Sequence, residues 1–578
     1  MAFDDIYPEG HQGGVCIIMN GHRVATNGDI RLEATPGQWQ PVPKQLDRKL
    51  GDNSITATLC YPDSSRHLTG FNPMIYPDLH LIYTVNVESK GKNIEVTVDL
   101  DRPIPQEFIG KVGFNLEFFP GSLFGKPWIM DGQSGIFPQQ PNSPLMTTQP
   151  NYLHTGNYHD GKKSLADMDK LIGKGYSPIV ADDIISEPYA KGTKFTSRPD
   201  DPYNKVTIES LSGDLQLFDG RMNHNNGWFV LRSNIKPGVT KGAVKWIITP
   251  NVVADWMYQP VIQTSQIGYH PTQDKEAVIE MDIRDNRKET AQIIRIDADG
   301  EKVVKNVTPA NWGKFLRYNY LKVNFTDVKE PGLYKIKYNT SVSPIFRIDN
   351  DVYARGVWQP VLEYFLPVQM CHMRVNEKYR VWHDCCHMDD AQMAPAHNHI
   401  DGYDQKEGLS KFKPGEVVPG VNIGGWHDAG DFDLRIESQA GESYILALAY
   451  EAFHPNLDVT SIDQINRVTE IHQPDGKNDL LQQVENGALT VVNGYLALGR
   501  LYRGIICNDL RQYVLLGDAA AMTDGKIGNE DDRWIFTEDN PGRELSTAAQ
   551  LAAVSRVLKG FNDTLSVHCL DIARKVYA

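Results

Sequence analysis

The stretch Gly424–Asp433 reads "GGWHDAGDFD". It places Asp428, Asp431 and Asp433 beside Trp426 and His427, just before a helical pattern that starts at 435. Like charges this close repel, so the arrangement costs stability unless it is used. Asp428 and Asp431 are separated by Ala429 and Gly430, small residues that let the backbone turn sharply and let another group approach. Both carboxylates can then face one cavity and share one water. A carboxylate that deprotonates water is the base an inverting glycosidase needs. On this reading Gly424 and Gly425 leave room for a bulky ligand, and Trp426 is a wall of its pocket. Two other readings also fit the spacing. Clustered oxygen ligands suit calcium, and aspartates before a helix can cap it. Spacing alone leaves all three open.

C-terminal to the loop the apolar residues follow a helical period. "RIESQAGESYILALAYEAF" (435–453), "DLLQQVENGALTVVNGYLALGRLY" (479–502), "STAAQLAAVSRVLKGF" (546–561) and "TLSVHCLDIARKVYA" (564–578) read as helices. N-terminal to it, "VYARGVWQPVLEYFLPVQM" (352–370) is helical in pattern, with Pro360 and Pro367 expected to kink or end it. Residues 351–578 therefore predict about five helices joined by long loops that carry the chemistry.

Before 351 the period is two. "EAVIEMDI", "AQIIRIDADG", "LKVNF", "GLYKIKY" and "SPIFRID" recur within 258–350, with turn signals between them, as in a small immunoglobulin-like sandwich. Residues 1–255 are rich in Pro, Gly and Asn. They alternate in "HLIYTVNVES" (80–89), "KNIEVTVDLD" (92–101), "GWFVLRSN" (227–234) and "AVKWIITP" (243–250), which predicts a β-sandwich-like domain. The aromatic, Pro/Gly-rich run 118–144 is read as an ordered loop, a candidate surface for the next domain or a glycan.

The chain has 578 residues and a net charge of −15, too long for one core and too acidic for a phosphate-binding face, so nucleic acid is not an expected partner. No apolar run reaches the roughly 18–20 residues of a membrane helix. "MAFDDIYPEG" has neither the basic nor the apolar region of a signal peptide. The expected location is secreted, periplasmic or cell-surface if a signal has been removed, with the cytoplasm left open. Of seven cysteines, Cys16, Cys60, Cys507 and Cys569 read as small buried residues, whereas Cys371, Cys385 and Cys386 cluster with histidines as in a metal site. His397 and His399 read as loop residues.

"GGWHDAGDFD" resembles the signature loop of glycoside hydrolase family 9, the cellulase family with an (α/α)6 barrel. "QIGYHP", "PGLYKIKY" and "SPIFRID" resemble the immunoglobulin-like module before the barrel in one branch of that family. "CCHMDDA" (385–391) resembles that branch's Cys-His-x-x-Asp-Ala segment. The likeness covers residues 258–578. It implies a multidomain protein: a β-sandwich-like domain over 1–255, an immunoglobulin-like β-sandwich over 258–350, and part of an all-α (α/α)6 barrel over 351–578.

The resemblance implies that Asp431 is the catalytic base and that Asp428 helps hold the attacking water. It implies an inverting hydrolase of β-1,4-linked glucan, acting on polysaccharide or oligosaccharide without an organic cofactor. Asp433, Phe432 and Arg435 receive no catalytic role. Cys371, Cys386, His387 and His427 make a two-thiolate, two-imidazole set of the kind zinc favours. In the family branch similar residues hold a structural zinc, which here would tie the loop to the first barrel helix. Cys385 is the ambiguous neighbour, and calcium stays open as a second ion. The barrel has more helices than are legible before residue 578. Its general acid, a glutamate in the family's last motif, is therefore expected beyond that residue. Glu437, Glu442 and Glu485 are not taken for it. An exo-acting relative of glucosaminidase or cellobiosidase type, or a carbohydrate-binding relative without turnover, are the competing expectations.

Overall fold

The computed structural model describes residues 13–33, 43–62, 79–142, 145–147, 184–222, 228–396, 403–428, 432–507, 523, 525–527 and 532–578. Asp431, His397 and His399 lie outside them.

Alternating strands in the first part of the chain close into two facing antiparallel sheets. One runs in the order Val15–Met19, His22–Leu32, Val112–Phe118, Phe229–Asn234, Leu215–Asp219, Ala190–Gly192. The other has nine strands, with Lys44–Leu50 at one edge and Gln133–Ile136 at the other. Period two sends alternate side chains inward. Phe114 meets Trp246 edge-on at 5.1 Å, and Phe118 meets Phe195 at 5.9 Å. The aromatic run after 118 is not one long loop. Pro127–Met130 and Gln133–Ile136 pair as a hairpin that extends the nine-stranded sheet. Its Phe124 and Phe137 pack on Phe229 of the same sandwich.

A second, smaller sandwich follows. Its core gathers Ile279, Ile293, Leu321, Val323, Ile336 and Phe346, with Tyr269 edge-on to Phe325 and Phe346. The strands predicted by alternation are present. So are two that carry little inward apolar pattern, Gly300–Val307 and Ala310–Phe315.

From 359 the described α-helices are α1 (Gln359–Glu363), α2 (Leu366–Gln369), α3 (Ile436–Phe453), α4 (Asp479–Leu498), α5 (Pro541–Leu558) and α6 (Asp563–Tyr577). The first predicted helix is split in two. Pro360 and Pro367 each sit in the first turn of a short helix, where the missing N–H is tolerated. Helices α4, α5 and α6 start at asparagines. The side-chain carbonyls of Asn478, Asn540 and Asn562 accept from Leu480, Arg543 and Leu565 backbone N–H groups. α3 packs on α4 and α5, α6 on α4 and α5, around Ala440, Val484, Ala488, Val491, Leu551, Val554 and Ile572. No helix among the described residues is long and apolar enough to cross a membrane.

This part is not all-α. Two four-stranded sheets lie among its loops: Arg380–His383, Arg374–Glu377, Val468–Ile471, Thr460–Asp463, and Gln392–Met393, Arg533–Phe536, Gly504–Cys507, Leu434–Arg435. Strands of two to four residues are too short to show a period. Their pairing is decided by residues far apart in the chain.

Candidate active site and metal centre

The loop at 424 is held against α4 by its two glycines. Gly424 and Gly425 have φ of +67° and +86°, and a Cβ on Gly424 would lie 2.3 Å from the Asn486 carbonyl oxygen. Gly425 N–H donates to that same oxygen at 3.0 Å. The glycines thus serve a close backbone approach, not space for a ligand. Trp426 is likewise not a pocket wall. It is 2% exposed and packs with Leu366, Met370 and Phe365. Gln439 of α3 takes both backbone groups of Trp426, accepting from its N–H at 2.9 Å and donating to its carbonyl at 2.8 Å.

At the other end of the loop Asp428 N–H donates to the Asp433 carbonyl at 2.9 Å. The two carboxylates share Arg435 Nε, which lies 3.3 Å from Asp428 and 3.5 Å from Asp433, but they differ in exposure. Asp428 keeps 34% side-chain exposure, whereas Asp433 is 1% exposed. Asp433 accepts from Tyr403 Oη at 3.1 Å and from Cys507 N–H at 3.3 Å, so it fastens the loop to two distant segments. Neither caps α3, whose N-cap residue is Arg435 and which has no side-chain cap.

The four sulfur and imidazole residues converge. Cys371, Cys386, His387 and His427 are buried, and one ligand atom from each lies within 4.8 Å of all the others, a group able to hold a metal ion. The edges of the group are Cys371 Sγ to Cys386 Sγ at 3.9 Å, Cys371 Sγ to His387 Nδ1 at 3.7 Å and Cys386 Sγ to His427 Nε2 at 3.6 Å. Cys385 stands apart, its Sγ on the Arg467 carbonyl at 3.8 Å. Burial, then the Arg533 guanidinium, pushes His387 down to about 4, leaving the neutral imidazole a metal requires. Burial raises both thiols of the pair. The Cys386 hydrogen bond and the Arg533 charge nonetheless draw Cys371 well below the usual thiol range. The Phe432 ring covers the site, 5.4 Å from the His387 ring and 5.0 Å from the His427 ring. Of the other cysteines, Cys507 and Cys569 are buried as expected, while Cys16 and Cys60 are only half-buried.

Cys371, His372 and Asp390 form a second close group. Its atoms are already satisfied. His372 bonds Gly424 O through Nδ1 at 2.9 Å and Asp390 through Nε2 at 2.8 Å, and Arg533 lies against both Asp390 and Cys371. A fixed guanidinium there disfavours a second cation.

Residues 361–578 match the family model of glycosyl hydrolase family 9. Residues 257–343 match the cellulase N-terminal ig-like domain. Among curated proteins, endoglucanase D of Acetivibrio thermocellus is 19% identical over 330 residues, covering 56% of this chain and 46% of that protein. The chain thus spans about half the length of the curated relatives it matches. Among solved structures, Bacteroides ovatus GH9 is 19% identical, covers 55% of this chain and 53% of that one, and has a TM-score of 0.41. A mutant of the thermostable endoglucanase of Alicyclobacillus acidocaldarius is 19% identical, covers 55% and 51%, and has a TM-score of 0.38.

Three further carboxyls of the family 9 segment are placed by their partners. Glu437 is paired with Arg503 and Arg543, and Glu485 accepts from Asn562 Nδ2 at 2.6 Å. Glu442, on α3, is pushed up to about 7 by burial and by the charge of Asp428. A folded pKa above the unfolded one means the stabilising contribution is full below about pH 4.5 and is lost as pH rises through about 7. Glu442→Gln is therefore expected to be more stable than the unaltered protein by about 2 kcal/mol at about pH 8, and equal to it near pH 4.5. Denaturant titrations at the two pH values check this. A gain that is the same at both removes Glu442 as its source.

Proposed function

We propose that this protein is an inverting glycoside hydrolase that cleaves β-1,4-glucosidic bonds of a glucan. The observation that carries the reading is the loop Gly424–Asp433. It lies within the family 9 segment, both of its described ends are fastened to the helices and sheets around it, and it presents Asp428 to solvent. In this reading Asp431 takes the proton of a water, Asp428 helps hold that water, and a carboxylic acid protonates the leaving oxygen. The base and the acid of such an enzyme stand about 6.5–9.5 Å apart, leaving room for the water between them. The helices α3 to α6 are read as part of an (α/α)6 barrel.

The metal of the Cys371, Cys386, His387, His427 group is read as zinc in a structural role. A zinc tetrahedron with bonds of about 2.3 Å to sulfur and about 2.0–2.1 Å to nitrogen has edges of about 3.8 Å between sulfurs and about 3.5 Å between sulfur and nitrogen. Three of the six edges, at 3.9, 3.7 and 3.6 Å, come close to these values, which supports the reading. When bound, the ion holds the loop to the segment after α2 and supplies no step of the reaction. Calcium receives no such support among the described residues.

The test is incubation of the expressed protein with a soluble β-1,4-glucan, following viscosity, reducing ends and product anomer by NMR. A rapid viscosity drop with α-anomeric product is expected. Steady release of one small sugar with little viscosity change moves the reading to an exo-acting enzyme. Binding without new reducing ends leaves a carbohydrate-binding protein.

A further inference from the structure

Arg533 is the largest charged group in this part of the core, fully buried on the strand Arg533–Phe536, and the sequence offers no motif that marks it. Its Nε donates to Asp390 Oδ1 at 3.1 Å and a second nitrogen contacts Asp390 Oδ2. Its remaining arm donates to the Phe432 carbonyl, and it also reaches Cys371 Sγ at 3.0 Å. On the other side of Asp390, His372 Nε2 lies 2.8 Å from Oδ2 while His372 Nδ1 bonds the Gly424 carbonyl at 2.9 Å. Asp390 thus sits between two arms. One grips the first residue of the aspartate loop and the other grips the residue that follows Asp431.

Burying three ionisable groups is expensive unless each is paired and hydrogen-bonded. Here the arms are spent on the loop, on the shared carboxylate and, from one Arg533 nitrogen, on Cys371 Sγ. Apolar residues of similar volume could fill the same space, so packing alone does not account for the set. A single carboxylate joined through His372 to Gly424 and through Arg533 to Phe432 fixes the separation of these two residues.

We propose that His372, Asp390 and Arg533 form a buried clasp that positions the aspartate loop by holding Gly424 and Phe432 at a fixed separation. They are positioning residues, acting through backbone carbonyls and touching no substrate. The consequence for turnover rests on the hydrolase reading above, whereas the consequence for loop order does not.

The experiment is hydrogen–deuterium exchange on the expressed protein and its Asp390→Asn variant, alongside metal content and glucan kinetics. The clasp predicts roughly tenfold or faster exchange in peptides covering 424–433, with metal content retained. It also predicts a kcat reduced about 100-fold at nearly constant KM, since small displacements of reacting groups are that costly. Arg533→Lys separates the arms. One ammonium cannot span both Asp390 and Phe432 O, so exchange should rise at the 432 end and stay slow at 424. Unchanged exchange at both ends in Asp390→Asn overturns the clasp, as does loosening that appears only together with metal loss. Faster exchange in a protein that never turns over glucan supports the clasp and removes the hydrolase reading instead.

Discussion

Asp431→Ala is expected to lower kcat on a β-1,4-glucan by about 10^3-fold or more, with KM changed only a few-fold. The neutral water left behind is a poor nucleophile, and the oxocarbenium-like transition state gains little from it. The loop that carries position 431 is fastened on both sides: Gly425 and Trp426 are bonded to α4 and α3, and Asp428 N–H closes on the Asp433 carbonyl. Removing one carboxylate from so anchored a loop should leave the fold intact, so the loss reads chemistry and not unfolding. Azide or formate, supplied in solution, should restore part of the rate by occupying the vacated space. Initial rates on a soluble glucan check the prediction, and an unchanged rate would falsify the assignment of Asp431 as base.

The largest effect on stability is expected at the metal group. Cys386→Ser should bind less than about a tenth of an equivalent of zinc where the unaltered protein binds about one. Structural zinc contributes directly to folding, on the order of several kcal/mol. In a segment of this size each kcal/mol moves the melting temperature by about 2–4 °C, so a drop of about 10 °C or more follows. The ligands come from the end of α2, from the segment after Arg380–His383 and from the aspartate loop, so losing the ion frees three separate pieces of backbone. Cys385→Ser is the matched control. Its sulfur faces the Arg467 carbonyl outside the group, and metal content and melting should stay as they were. Elemental analysis and thermal unfolding on the three proteins decide it. Equal metal in all three removes Cys386 from the ligand set.

Residues whose chemistry is specific could be read without the fold. Thiols and imidazoles at 371, 386, 387 and 427 stand out by type, because few other side chains bind soft divalent ions, and they do meet in space. The long helices were legible from apolar periodicity and the strands of the two sandwiches from alternation. The run interrupted by Pro360 and Pro367, expected to kink or end there, is split into two short helices, each with its proline in the first turn.

Other residues of the same ten-residue stretch took roles that local pattern does not carry. Trp426 and Asp433 are both polar-tipped or charged members of this loop, yet one fills the core and the other anchors Tyr403 and Cys507. Glu442 is an ordinary helical glutamate by sequence, and only its burial near Asp428 alters it.

The amino-acid sequence by itself carried the resemblance to family 9, the helices and strands with a clear period, and the residue types suited to a metal, because each rests on local pattern or side-chain identity. Tertiary structure alone decided that Asp428 is exposed and Asp433 buried, which cysteine of the adjacent pair joins the close group, and that Arg533 pairs with Asp390 from 143 residues away. Those choices depend on which surfaces come together and are dried. Burial and hydrogen-bond partners supplied by distant segments leave no periodicity or spacing in the chain.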